Sequence, residues 1–468
     1  MLPCRRAALY LLGAAVFFCA LSRNVSASTV VVTPPNTTPC RVLASYPTIS
    51  LAVSSVPAGS TIYVCPGTYA EQVVITKKLT LTGLAGNGST GAAAVGANNP
   101  VIVSPSGGVA VNSYDLYGYP NGQPTAAQIL VETLPVNNVW PAPIVVNISN
   151  IAVDGSNNQL GGCGTDLVGI YYQNASGTVN HVTTRFQELG PGLFGCQDGL
   201  AIYAQSGYGT GTGVVTIENS SVHDYDKNGI TADGEGLVAT ISGNYVVGIG
   251  ATPLTAQNGI QLSDGASGKI ANNIVTDDVY INPSNCGTMG GPYCYSATGI
   301  LPYDSGGSSS SHVTISGNTV SNTQGAIVIV TDGAETADWN DVSSNKITTS
   351  PAAAIYFLDG IDLCSDHNTA TANTVFNSSG SGVHIDGECT EPDSTTTGLD
   401  TTVTNNTINE ACAGVLTGPG LMGTGNSVSG TVTYNVVATT LAGDSCPVGA
   451  PGAPARAKVK LKPRPLHH

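Results

Sequence analysis

Cations are scarce in this 468-residue sequence, so the place where they meet histidine and acids is the first candidate for chemistry. Three of the 15 Lys and Arg residues precede Ser28 and five follow Cys446, which leaves seven in the body. All 30 Asp and Glu residues lie in that body, whose formal charge is therefore −23. Two of the seven cations, Arg185 and Lys227, fall close to His223, Asp224 and Asp226, with Glu188, Asp277 and Asp278 nearby. Such a set supports two routes. Paired carboxylates can hydrolyse a glycosidic bond, one as acid and the other as base or nucleophile. Alternatively, a basic side chain can abstract the C5 proton of a uronic acid while cations stabilise the enolate. Calcium held by carboxylates would be the cofactor of the second route, because an acidic groove repels a polyuronate unless a cation mediates. The same acidity excludes nucleic acid, whose binding rests on cationic contacts to phosphate. A second, smaller pairing is His384 with Asp386.

The elements that would position these groups are written as a repeat. One phrase places an apolar residue three positions before Asn and a second apolar or β-branched residue two positions after it. It occurs at Ile241, Asn244 and Val246, and again around Asn273, Asn318, Asn345, Asn373 and Asn406, with a weaker copy ending at Asn426. The Asn-to-Asn steps are 29, 45, 27, 28 and 33 residues. A second phrase, Gly followed by an apolar run, comes after a variable gap, as in Gly169-Ile170, Gly229-Ile230, Gly259-Ile260 and Gly299-Ile300. Most of these runs end in a turn containing Asp, such as Asp233, Asp264 and Asp304. Val, Ile and Thr punctuated by Gly, Asn, Asp and Ser mean many short strands and turns. Units near 28 residues with insertions collected in one gap fit stacked coils, whereas a propeller blade needs about 40–50 residues. In such a stack, inward Asn amides hydrogen-bond up and down a column as a ladder.

The long insertions, 155–168, 187–198 and 281–298, all fall in the gap between the two phrases. Loops from one corner of successive coils would wall a groove. Aligning the first phrase puts Asp154, Arg185, His223, Val247 and Thr276 in one column, so Arg185 and His223 would stand on adjacent coils. Tyr171, Tyr172, Tyr203, Tyr208, Tyr280, Tyr293, Tyr295 and Tyr303 could stack on sugar rings there.

Residues 1–27 read as an export signal: Arg5 and Arg6, an apolar stretch from Ala7 to Ala20, and small residues at Val25-Ser26-Ala27. The stretch is short for a membrane span. Its removal leaves ten cysteines, an even number that reads as disulfides in an exported chain. Consecutive pairing would join Cys40–Cys65, Cys163–Cys196, Cys286–Cys294, Cys364–Cys389 and Cys412–Cys446. The segment 447–468 is basic, rich in Pro and Ala, and read as disordered.

The segment YPTISLAVSSVPAGSTIYVCPGTYAEQVVITKKLTLTG (46–83) is similar to the cap and first coils of the pectin lyase-like right-handed parallel β-helix superfamily. The likeness extends over roughly 42–440. It implies an all-β, single-stranded solenoid with a short cap helix over Ile49–Val56, followed by strands at Ile62–Val64, Val73–Ile75 and Leu79–Leu81. It also implies a protein that acts on or binds extracellular polysaccharide, as lyase or glycoside hydrolase. A non-catalytic surface or adhesion protein is the alternative, since this fold carries both. Of the polygalacturonase signatures only Asp277-Asp278 is present, and the Asp-Pro-His-Asp of mannuronan epimerases is absent. The catalytic set is expected at Arg185, His223, Asp224, Asp226 and Lys227.

Overall fold

The computed structural model describes residues 26–84, 99–190, 192–281, 294–304, 312–331, 337–349, 359–387, 398–418, 421, 425–436, 438–442 and 459–461. The residues before Ser26, on which most of the expected export signal falls, lie outside these. Each turn of the chain contributes three strands, one to each face of a parallel stack. The first face is a 14-stranded sheet, and the other two faces merge at one corner into a 23-stranded sheet. Within a typical coil, Leu237–Ser242 belongs to the first face, Tyr245–Thr252 to the second and Asn258–Ser263 to the third.

Three inward columns form the core. On the first face Ile217, Ile241, Ile270, Ile315 and Val342 stand in register, each fully buried. On the second, Val222, Val246, Val275, Val320 and Ile347 do so. On the third, Ile170, Ile202, Ile230, Ile260, Ile300 and Ile327 continue the pattern. Burying each of these side chains contributes roughly 1.5–3 kcal/mol before the chain entropy is counted.

The two repeat phrases are the two corners beside the second face. At the first corner a left-handed residue reverses the chain, as in Asn272 (φ 55°), Ser344 (φ 57°) and Ala372 (φ 55°). The next residue is the inward Asn. Asn244, Asn273, Asn318, Asn345 and Asn373 each donate Nδ2–H to the Oδ1 of the following Asn at 3.0 Å. That same Oδ1 accepts the donor's own backbone N–H at 2.9 Å. The ladder is therefore present over the expected six asparagines. Asn426 is not its seventh member: it lies at the corner between the third and first faces and accepts Thr401 N–H instead. At the second corner, the Gly of Gly-Ile is needed because the second-face side chain fills the space a Cβ would take. An added Cβ would meet Val246 at 2.6 Å from Gly229, Val275 at 2.4 Å from Gly259 and Val320 at 2.6 Å from Gly299.

The N-terminal end is closed as the resemblance implied, by a helix at Ile49–Ser55 that buries Ile49, Ala52 and Val53. Thr48 caps it, and the Glu71 carboxylate accepts the Ile49 and Ser50 N–H groups at 2.8 Å each. The sheet begins ahead of the segment that carries the resemblance, within the 28–446 expected for the solenoid. Thr29–Val32 pairs with Ser60–Val64 and supplies the outermost buried strand. Cys40–Cys65 and Cys163–Cys196 are bonded as expected. Cys364 and Cys412 are also disulfide-bonded. Cys286, Cys389 and Cys446 lie outside the described residues, so the other three pairings are not observed. From the basic tail, Val459–Leu461 runs parallel to Cys294–Ser296. Among the described residues no helix is long and apolar enough to cross a membrane.

The ladder predicts the cost of breaking it. Asn345→Ala leaves the backbone N–H and one of the two Nδ2 hydrogens of Asn318 without their acceptor and removes the Nδ2 bond to the carbonyl of Ile315, all at buried residues. Loss of about 3 kcal/mol is expected in denaturant unfolding, from roughly 1–3 kcal/mol per buried group left unpaired. A loss below about 1 kcal/mol would mean the ladder is incidental to the stack.

Candidate functional site

The corner between the second and third faces carries the site residues. Register places Asp154 beside Arg185 and His223 beside Val247, with Val247 beside Thr276. Pairing of Thr183 with Ser221 and Thr184 with Val222 puts Arg185 and His223 on adjacent coils. The column derived from the repeat is therefore the column in the fold. Arg185 Nε donates to Asp154 Oδ2 at 2.7 Å, and its guanidinium lies 5.6 Å from the Phe186 ring centroid. His223 Nδ1 lies 2.6 Å from Asp224 Oδ2, both groups about one-third exposed.

Beyond the column, a backbone reversal decides the path of the chain. Phe186 (φ 57°) and Asp224 (φ 53°) are left-handed, so the next residues, Gln187 and Tyr225, turn inward and pair across coils. Glu188 and Asp226 then occupy equivalent places one coil apart. Glu188 is half-buried, and burial plus the charge of Asp224 pushes its carboxyl up to about 7. Asp226 is fully buried, and burial, then Asp198 and Glu188, push it up to about 8 against the opposing pull of Lys227. Neither Asp226 oxygen has a hydrogen-bond partner of ordinary geometry among the described residues.

Two of the five expected site residues are thus not on the groove surface. Lys227 is fully buried, donates to the Ala256 carbonyl and lies between the charges of Asp226 and Asp278. Its role is to neutralise acids inside the corner, since an unpaired buried carboxylate is expensive. Asp226 sits beneath the surface, its backbone held by Gln187 and Thr255. Asp278 is buried as well and accepts Tyr225 O–H at 2.6 Å. Arg185, His223, Asp224 and Glu188 remain at the partly exposed rim. The disulfide Cys163–Cys196 joins the two inserted loops beside it, and Asp198 Oδ2 accepts Gly164 N–H at 2.8 Å. Those sulfurs are bonded to each other and are not metal ligands.

The tyrosines also depart from expectation. Tyr171 and Tyr203 are buried and stacked on each other, with centroids 4.8 Å apart. Tyr172 points into the core and donates to the Val146 carbonyl. Tyr280 and Tyr303 are buried, whereas Tyr208 is partly exposed. Tyr293 lies outside the described residues. Tyr203, Gln205 and Tyr208 all donate to Asp233 Oδ2, and Tyr208 also reaches Asp264 Oδ2 at 3.0 Å. Asp115 joins this network from the segment 104–123, an insertion at the same corner that the repeat did not single out. Asp233, which is buried, and Asp264, which is half-buried, both read as turn residues, form an acid pair whose carboxyls are both raised, chiefly by desolvation. Spacing within the third-face strand, which sends Tyr203, Gln205 and Asp233 to the same outer side, was the available signal.

The raised carboxyls predict a pH dependence. Glu188 and Asp226 hold protons in the folded chain at pH values where the unfolded chain has lost them, so stability falls as pH rises from the ordinary carboxylate range towards about 8. Thermal melts from pH 5 to 9 should show this fall, and Asp226→Asn should flatten it and raise the melting temperature at pH 8. A variant that melts lower than the parent at every pH would refute the assignment.

No family model matches this chain, and no curated protein matches it in sequence. Its fold is similar to the A-module of the mannuronan C-5 epimerase AlgE4 of Azotobacter vinelandii, at 11% identity and TM-score 0.50, covering 88% of this chain and 93% of that one. Looser likenesses are to the Agl-KA catalytic domain (13% identity, TM-score 0.49, 88% and 63% covered) and to PfbA, a surface adhesin of Streptococcus pneumoniae (14%, TM-score 0.45, 84% and 87%). With its parallel sheets, inward columns and cap, the chain has the right-handed parallel β-helix fold of the pectin lyase-like superfamily.

Proposed function

We propose that this is an exported protein that cleaves glycosidic bonds in an extracellular polysaccharide at the Glu188–Asp224 corner. The observation that carries it is a raised carboxyl, that of Glu188, beside the charge of Asp224 at a partly exposed corner. Glu188 is pushed up to about 7 and can donate a proton near neutral pH, while Asp224 lies against His223 at the open rim. Acid and base roles separate in this way when two carboxyls meet different environments. Glu188 would protonate the leaving oxygen, and Asp224 would act on water or on the sugar carbon. Arg185 and His223 would position the sugar as neighbours on the column.

Charge favours hydrolysis over elimination. Arg185 is charge-paired with Asp154 through Nε and Lys227 is buried, so among its described residues the corner offers little uncompensated positive charge to steady an enolate. A neutral glycan suits the acidic surface better than a polyuronate, and calcium is then not required for turnover. A second reading, glycan binding without turnover, is favoured by the local pairing of Arg185 and of His223 with acids. Export is supported by the N-terminal sequence and the disulfides.

The purified chain should release reducing ends from a neutral polysaccharide in a panel assayed with and without calcium, with no unsaturated-uronate absorbance. Glu188→Gln should lower kcat by about 100-fold or more, the usual range for a general acid. The parent's rate should fall as pH rises through about 7. Unsaturated products would replace hydrolysis by elimination, and glycan-array binding without product would establish the second reading.

A further inference from the structure

The outer side of the third face carries a second group of ionisable residues, four to five coils from the corner site and independent of its chemistry. Asp362 and His384 stand opposite each other on adjacent strands. The residues before and after them in this column are Val328 and Leu416, both buried and apolar. Two ionisable side chains thus interrupt an apolar outer column at neighbouring coils, where turn chemistry offers no reason for them. His384 is fully buried, and its Nδ1 lies 3.3 Å from Asp359 Oδ2, 3.6 Å from Asp362 Oδ1 and 3.6 Å from Asp386 Oδ2. Asp359 is held in place from its far side: its Oδ1 accepts both the N–H and the O–H of Ser381 at 2.6 Å, leaving Oδ2 towards the imidazole. The donor atoms of Asp359, Asp362 and His384 all lie within 4.8 Å of one another.

We propose that Asp359, Asp362 and His384 hold a divalent transition cation of the zinc class. Three observations bear on the identity. The imidazole separations exceed the about 2.7–2.9 Å of a charge-assisted hydrogen bond. They match the edge of a tetrahedron, about 3.4 Å for ligand bonds of about 2.1 Å. Octahedral magnesium would bring neighbouring ligands to about 3.0 Å, and calcium takes six to eight oxygen ligands, which this one-nitrogen set does not supply. The cation would also neutralise carboxylates that burial makes costly. Asp386 stays beside the group, outside the set of mutually close donors. Ser381 fixes the Asp359 carboxylate as an outer partner, as supporting hydrogen bonds do in metal sites.

The test uses the oxidised full chain, stripped with EDTA and freed of chelator, and titrated calorimetrically with zinc chloride alone. One ion per chain is expected, with a raised melting temperature. Cobalt(II) in its place should give the strong visible absorption of a tetrahedral site. His384→Gln should weaken zinc by about 100-fold or more, at least the loss seen when a supporting partner is removed. Asp362→Asn, one-fifth exposed and isosteric, provides the same test should the buried histidine variant fail to fold. Absence of zinc uptake by the parent would overturn the proposal and leave an imidazolium held among carboxylates. Uptake unchanged in the folded variants, or tighter binding of calcium than of zinc, would overturn it equally.

Discussion

Stacking of equivalent residues at the spacing of parallel strands, about 4.8 Å, is the constraint on which the rest of this molecule depends. It turns every position of the repeat into a column, and each column must satisfy itself along the axis. Apolar columns do so by burying one another. The asparagine column does so with hydrogen bonds, because an amide carries both donors and an acceptor. From Asn244 to Asn373 each Oδ1 beyond the first receives two bonds from the coil before, and each Nδ2 also reaches back to a carbonyl of the preceding coil, such as that of Ile217 or Ile315. The corner is tied in both directions, which is why it keeps the same length while the others vary. Ahead of Asn244 the column reads Ile151, Val182 and Ser220, and Ser220 is where the ladder ends: its N–H donates to Asn244.

Variation is confined to places the columns tolerate. Inserted residues leave at the corner between the second and third faces, as at 104–123, or at the corner between the third and first faces, as at 133–144, and return to the same register, since a strand displaced by one residue would send its buried side chains to solvent. The corner between the second and third faces consequently collects loops from successive coils, and a disulfide between two of them, Cys163–Cys196, limits their motion. The same corner holds Arg185, His223, Asp224 and Glu188. Scaffold and site are related as a rigid column and its edge: the strand ends set the spacing along the axis, and the loops set the walls.

Charge is handled differently inside and outside. The body carries a large excess of acids, yet several are buried: Asp226, Asp233 and Asp278 among them. Burial raises each of these carboxyls, so the interior favours their protonated forms. Lys227 offsets two of them, and phenols and amides surround Asp233. Groups of this kind cost stability at neutral pH.

The sequence alone determined whatever is repeated. The coil length, the asparagine ladder, the Gly-Ile corner and the Asp154–Arg185–His223 column can all be read by aligning the chain with itself, because a stack forces equivalent residues into equivalent environments, while the cap helix is read from the resemblance of its segment. Two disulfides follow from the same spacing. Tertiary structure decided what is singular. Whether Asp226 and Lys227 face solvent or core depends on one left-handed residue at Asp224, and nothing in the surrounding residue types announces that sign of φ. The sealing of Tyr171 and Tyr203 depends on residues 104–123 folding over another coil. The meeting of Asp359 with His384 depends on register across a gap of variable length. Periodicity carries no information about such contacts, since each is made once, by a loop or corner whose path is fixed only when the stack has formed.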